Sequence, residues 1–251
     1  MFKKTILLMF LAFMSLQAFA SDAEHPPKMN WSFQSIFGTY DRAALQRGFQ
    51  VYHEVCAACH SLNHLAYRHL AGIGFTPETI KALAAEKEIR DGFTEEGEIF
   101  KRPGIAADHI APPYINEGAA KAANNGSLPP DLSLIVKARA HGPDYLHAIL
   151  TGYAEPPKEV QLGENMHYNK YFAGRQIAMI PPLHEGMVNY TDGTPTNVEQ
   201  YAKDVVTFLT WAGDPKMEER KSTGFKVMFF LIILTLFMFF TKRRVWRNIK
   251  D

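Results

Sequence analysis

Cys56-Ala57-Ala58-Cys59-His60 is the stretch from which the rest of the chain is read. C-x-x-C-H is the attachment signature of a covalently bound c-type haem. Two thiols at this spacing reach the two vinyl groups on one edge of a porphyrin and form thioethers, and the residue that follows lies beneath the iron. His60 can then donate an imidazole nitrogen to the metal on its proximal side. A structural zinc centre would need four ligands, and Cys56 and Cys59 are the chain's whole supply of thiols. A dithiol redox motif would want a βαβ unit, whereas the residues around Cys56 read as helix. The cofactor expected is one covalently bound haem c.

The two ends of the chain set this motif against a membrane. Lys3 and Lys4 precede an apolar run from Thr5 to about Phe13, and Ala18-Phe19-Ala20 before Ser21 has the small-x-small form of a signal-peptidase site. Export suits haem attachment outside the cytoplasm, in an oxidising space where the motif engages both cysteines. From Gly224 to Thr241 the residues are almost all apolar, with Lys226 near the outer edge. As a helix rising about 1.5 Å per residue this run spans roughly 27 Å, enough to cross a bilayer. The basic cluster Lys242, Arg243, Arg244, Arg247 and Lys250 then stays inside by the positive-inside rule. The organisation expected is a signal peptide over 1–20, a periplasmic haem domain over 21–223, a transmembrane anchor over 224–241 and a cytoplasmic basic tail over 242–251.

The segment between the ends holds about two hundred residues, enough for one domain with a real core. Asp41 can cap a helix in which Ala44, Leu45, Gly48, Phe49, Tyr52 and Val55 share a face, delivering the chain into Cys56. A second helix is predicted from Thr196, where Glu199 completes a capping box, with Val198, Tyr201, Ala202, Val205, Phe208, Leu209 and Ala212 on one stripe. The two are expected to pack together, Gly48 admitting an aromatic such as Phe208 or Trp211. Lys81 to about Arg90 and Leu146 to Thr151 read as shorter helices, and the stretches near Pro112, Pro129, Pro156 and Pro181 as loops. No alternating strand pattern persists, so the fold class is mainly α with long connections. A net charge of +1 gives no sign of nucleic-acid binding. Glu86, Glu88, Asp91, Glu95, Glu96 and Glu98 form an acidic excess, diluted by Lys87, Arg90, Lys101 and Arg102, that reads as a solvated surface loop.

A haem iron held by His60 needs a sixth ligand. Of ten methionines, Met1, Met9 and Met14 leave with the signal and Met228 and Met238 lie in the anchor. Met29 and Met217 flank the domain, which leaves Met166, Met179 and Met187. Met179 precedes Ile180-Pro181-Pro182, where two prolines would stiffen an extended loop and fix the approach of a thioether. A methionine among apolar residues is nonetheless usually packing, and all three stay open on residue type.

The chain resembles the cytochrome c1 family. The likeness runs from Arg47-Gly48-Phe49-Gln50-Val51-Tyr52 through the haem motif to Ala66-Tyr67-Arg68-His69-Leu70. It continues in Ala122-Ala123-Asn124-Asn125-Gly126, Leu128-Pro129-Pro130-Asp131-Leu132-Ser133, Leu150-Thr151-Gly152-Tyr153 and Asp192-Gly193-Thr194-Pro195. The resemblance implies a cytochrome c-like haem domain with long loops plus one C-terminal transmembrane helix. It implies that Met179 is the axial methionine and that Arg139 and Tyr145 lie near the haem propionates, roles that a guanidinium and a phenol suit. Pro130 is implied as a wall of the haem site. His60 and Met179 together would fill both axial positions, which makes an electron carrier with no vacant site for oxygen or peroxide.

The function implied is that of an electron-transfer subunit in the respiratory quinol–cytochrome c oxidoreductase complex, with no bond-making chemistry of its own. Its partners would be the Rieske iron-sulfur protein as donor, cytochrome b as neighbour and a soluble or tethered cytochrome c as acceptor. Its place would be the inner (cytoplasmic) membrane, single-pass, with the haem domain on the periplasmic side. The alternatives are a membrane-anchored monohaem cytochrome of another respiratory complex and a haem enzyme or sensor.

Overall fold

In chain order the helices are α1 (Arg42–Glu54), α2 (Pro77–Ala85), α3 (Glu117–Ala123), α4 (Pro143–Thr151), α5 (Val198–Gly213) and α6 (Met217–Trp246). Two short antiparallel pairs join them, β1 (Glu88–Phe93) with β2 (Ile99–Pro103), and β3 (His167–Tyr168) with β4 (Gln176–Ile177). This computed structural model describes residues 23–247, so the expected signal peptide and Lys250 lie outside the described residues.

The core is built on α1 against α5, with α4 on the other side of α5. Asp41 caps α1 as expected, its carboxylate accepting from the backbone N–H groups of Ala43 and Ala44 at 2.9 and 3.3 Å. The face predicted for α1 is buried at Ala44, Leu45, Gly48, Phe49 and Tyr52, joined by Val51. Gly48 is where the two backbones meet. A Cβ there would stand 2.0 Å from the carbonyl oxygen of Asp204 and 2.7 Å from Cβ of Phe208. Phe208 therefore takes the place predicted for it, stacking edge-to-face on Phe49 with centroids 5.5 Å apart, while Trp211 lies instead against Gly72.

Beside this contact Arg47 grips the buried Asp204 through Nε and Nη2 at 2.8 and 3.1 Å and reaches Asp192 with Nη1 at 2.7 Å. Burial of Leu45, Val205, Val206 and Phe208 contributes about 1.5–3 kcal/mol per large side chain. A buried ion pair contributes little net energy once desolvation is charged against it. Packing therefore drives the α1–α5 contact, and the Arg47 fork fixes its register.

Three sequence expectations need correction. The cap of α5 is Asn197, whose side chain accepts from Gln200 N–H at 2.9 Å; Glu199 makes no capping box and lies 3.1 Å from the buried His147. The helix predicted over Lys81 to about Arg90 begins earlier, with Pro77 in its first turn, and ends at Ala85. Beyond it the chain forms the β1–β2 hairpin, in which Glu88 and Asp91 lie on β1 and Glu95, Glu96 and Glu98 in the exposed turn between the strands. Almost every residue of that hairpin is exposed on both faces, so the alternation that betrays a strand is missing. Ion pairs cross between its strands instead, Lys101 to Glu88 and Arg102 to Asp91, and Arg102 also reaches Asp108 beyond β2. The remaining short helix, predicted over Leu146 to Thr151, starts at Pro143.

The run expected as an anchor over 224–241 lies inside the 30-residue α6, long and apolar enough to cross a membrane. Its apolar side chains from Phe225 to Phe240 are exposed, so α6 is not a core helix of the domain. The domain is mainly α with long connections and one C-terminal membrane helix, as the sequence indicated.

Candidate functional site

α1 stops at Glu54, and the haem motif occupies a tighter 3₁₀ turn, Cys56–Ala58, rather than a continuation of the α-helix. The Cys56 carbonyl accepts from Cys59 N–H at 3.1 Å and from His60 N–H at 2.9 Å, which turns the chain back and presents His60 beyond the two sulfurs. The phenol of Tyr52 closes the turn by donating to the His60 carbonyl at 3.2 Å. Cys56 packs against the core, and burial pushes its thiol up to about 12.

His60 is the best-oriented side chain of the site. Its Nδ1 lies 2.8 Å from the carbonyl oxygen of Pro130. A carbonyl only accepts, so Nδ1 carries the proton and Nε2 keeps its lone pair. Burial holds the imidazole pKa below its ordinary value, against the opposing pull of the Pro130 carbonyl and Asp131. A neutral imidazole with its second nitrogen hydrogen-bonded to a carbonyl is the form in which histidine ligates a metal.

The Pro130 carbonyl is held in place by a clamp that sequence reasoning missed. Asp131 accepts from Ser61 Oγ at 2.8 Å, from Asn63 N–H at 2.9 Å and from Ser133 N–H at 2.8 Å. Leu132 N–H donates to the Ser61 carbonyl at 2.9 Å, and His64 N–H to Ser133 Oγ at 3.0 Å. These bonds zip residues 61–64 to 130–133. Burial works against the Asp131 charge, but the hydrogen bonds from Ser133, Asn63 and Ser61 outweigh it and keep its pKa below the usual carboxylate value. The only sequence signal for the clamp was the motif Pro129-Pro130-Asp131-Leu132-Ser133 itself, whose partner lies seventy positions earlier.

The methionine side is built differently. β3 and β4 pair His167 with Ile177 and Tyr168 with Gln176. Met166 immediately precedes β3 and Met179 follows β4 by two residues, so the pairing sets both at one end of this small sheet. The buried Asn169 straps the sheet to α4 by donating to the Ile149 carbonyl at 2.8 Å. Met179 is half-buried, and its carbonyl accepts from the Tyr153 phenol at 3.0 Å. Met187 lies elsewhere, 45% exposed in the loop before α5.

Arg139 lies near enough to Tyr145 for its charge to act on the phenol. Tyr145 sits half-buried near the start of α4, where burial raises its pKa against the lowering effect of the Arg139 cation. Arg139 is exposed, donates to the Ala138 carbonyl at 3.1 Å and makes no ion pair among the described residues. A free guanidinium beside a phenol suits a carboxylate such as a propionate. A cavity of about 330 Å³ lies beside Ala57, Ala58, Tyr52 and Tyr67, and none of His60, Pro130, Arg139, Tyr145 or Met179 lines it. The donor set fits a c-type haem: two motif thiols, a neutral and pre-oriented imidazole, a thioether on a strapped loop and an unpaired cation.

Residues 31–249 match the Cytochrome C1 family. The chain is 47% identical over 240 residues to "Cytochrome c1 1, heme protein, mitochondrial" of Arabidopsis thaliana, covering 94% of this chain and 78% of that protein. It is 46% identical over 239 residues to "Cytochrome c1" of Rhodospirillum rubrum, covering 89% and 88%. To the "Cytochrome b-c1 complex catalytic subunit, mitochondrial" of Candida albicans it is 51% identical over 228 residues, covering 90% and 79%.

Proposed function

This chain belongs to the cytochrome c1 family, and on that premise we propose that it is the electron-transfer haem subunit of a quinol–cytochrome c oxidoreductase. Haem c, when bound, supplies one iron centre that alternates between the ferric and ferrous states. Cys56 and Cys59 would tether it by thioethers, and His60 Nε2 and the thioether of Met179 would be its iron ligands. Arg139 and Tyr145 neutralise and orient the propionates. Pro130 acts through its carbonyl on His60. The observation that carries this reading is the 2.8 Å bond from His60 Nδ1 to that carbonyl, which reserves Nε2 for a metal.

On this reading the chain's own residues bind, orient and shield the haem, and the subunit passes electrons without bond-making chemistry of its own. Electrons would arrive from the Rieske iron-sulfur protein and leave to a soluble or tethered cytochrome c, with cytochrome b as neighbour. The subunit would sit in the inner (cytoplasmic) membrane, crossing it once through α6, with the haem domain on the periplasmic side and Lys242, Arg243 and Arg244 inside.

Extraction of the membrane in a gentle detergent tests the assembly. The chain is expected to copurify with cytochrome b and a Rieske protein. A monohaem protein that comes out alone would support a cytochrome of some other respiratory complex. Carbon monoxide tests the coordination: the reduced native protein should not bind it at neutral pH, and ready binding would favour a haem enzyme or sensor.

A further inference from the structure

The loop between the buried Trp31 and Tyr40 displays two consecutive large apolar side chains, Ile36 at 77% and Phe37 at 78% exposure. Single exposed apolar residues are ordinary on a protein surface; an apolar pair on a rigid projection is not. This loop is bolted to the first turns of α6. Lys221 Nζ donates to the carbonyls of Phe33, Ser35 and Gly38 at 2.7, 2.6 and 3.1 Å, which engages all three of its N–H donors. Glu218 accepts from Tyr40 N–H at 2.7 Å and pairs with Arg42 at 2.5 Å. Gly38 allows the chain to close on itself there, since a Cβ would meet the Ser32 carbonyl oxygen at 2.6 Å.

Phe37 meets Phe225 edge-to-face, with ring centroids 6.0 Å apart. Phe225 opens the apolar run of α6, and it lies about 6 Å further along the axis than Lys221 at the usual helical rise. The loop thus reaches past its own tie to the level at which the membrane segment starts. Apolar residues then occur in succession along α6, including Phe225, Val227, Met228, Phe229, Phe230 and Leu231, all exposed. An apolar surface without a polar stripe marks no preferred direction for a protein partner and suits lipid on every side.

We propose that Ile36 and Phe37 enter the outer interface of the bilayer beside α6, as a second membrane contact that fixes how the haem domain leans over the membrane. The partner is the boundary between lipid headgroups and acyl chains, continuous with the surface of α6. The proposal rests on α6 crossing the membrane, and needs nothing from the haem reading.

Photocrosslinking in native membranes tests it. Residue 37 is replaced by p-benzoylphenylalanine in the full-length chain, with the same replacement at Leu234 inside the apolar run and at Asp91 on the exposed hairpin. After irradiation, adducts are identified by mass spectrometry as phospholipid or protein. A phospholipid adduct is expected at 37 as at 234, and none at 91. A lipid adduct at 234 with none at 37 overturns the proposal and leaves α6 as a span. A protein adduct at 37 in place of lipid also overturns it, by making the loop a subunit contact. Absence of lipid adducts at both 37 and 234 removes the membrane reading of α6, and the proposal with it.

Discussion

The His60 side and the Met179 side of the candidate site are held by different means. On the first, two segments seventy residues apart are zipped by four hydrogen bonds, and the ring nitrogen of His60, the proposed ligand, joins the network. On the second, Met179, the other proposed ligand, follows a two-residue strand, and one phenol bonds its backbone. A ligand that needs a fixed tautomer is held by polar contacts, because only a hydrogen bond can choose between two ring nitrogens. A thioether has no tautomer, and loop placement suffices for it. The expected consequence is that, of the two proposed ligands, Met179 is the more readily displaced.

The strongest test of that asymmetry is Met179→Leu. The haem should stay covalently attached while its reduction potential falls and the reduced iron binds carbon monoxide, as redox titration and difference spectra would record. Met166→Leu, at the same end of the β3–β4 sheet, should leave both readouts unchanged; if it reproduces them, Met166 is the ligand.

Asp131→Ala comes next. It leaves the Ser61, Asn63 and Ser133 donors without their acceptor, and a loss of about 1–3 kcal/mol in denaturant unfolding is expected. The Met179 ligation should survive, because the distal strap shares none of these bonds. A variant that lost methionine ligation at native stability would show that the two sides are not independent.

Tyr153→Phe removes the single polar tie on Met179, and a cost of about 1 kcal/mol is expected. Imidazole or cyanide should then displace the methionine more easily from the oxidised protein, with the proximal His60 N–H resonance unmoved in nuclear magnetic resonance spectra. Equal ligand-binding constants in the variant and its parent would assign the phenol a purely structural part.

The smallest effect is set by acid. Because the folded-state pKa of Asp131 is depressed, the stability it contributes is present above its unfolded value of about 3.9 and is lost as pH falls through the lower folded value. Unfolding free energies measured between neutral and acid pH should therefore converge for the parent and Asp131→Asn at the acid end. A gap that stays constant with pH would mean the clamp does not depend on the carboxylate charge.

Much of this could be read in the residues, and the remainder could not for identifiable reasons. α1 was legible because a capping aspartate and an apolar stripe point to one element, and Gly48 marked the close approach before any neighbour was known. The β1–β2 hairpin was hidden because ion pairs replace apolar alternation there. Asn197 displaced Thr196 as cap because adjacent residues compete for the same N–H groups, and one residue of register decides between them. Pro130 entered through the family resemblance as a wall, whereas its carbonyl orients His60; main-chain roles leave no trace in residue type. His147 is buried, burial pushing its pKa down against the pull of Glu199. Nothing local in α4 marks it, since its partners come from α5 and from the N-terminal segment that brings Trp31 to Asp144.

α6 begins inside the domain, with Met217 in the core, and continues without a break to Trp246. A shaft with no joint couples the tilt of the domain to that of the helix that carries it. A change in the slant of α6 is therefore carried straight into the domain, through the turn that seats Met217 in the core.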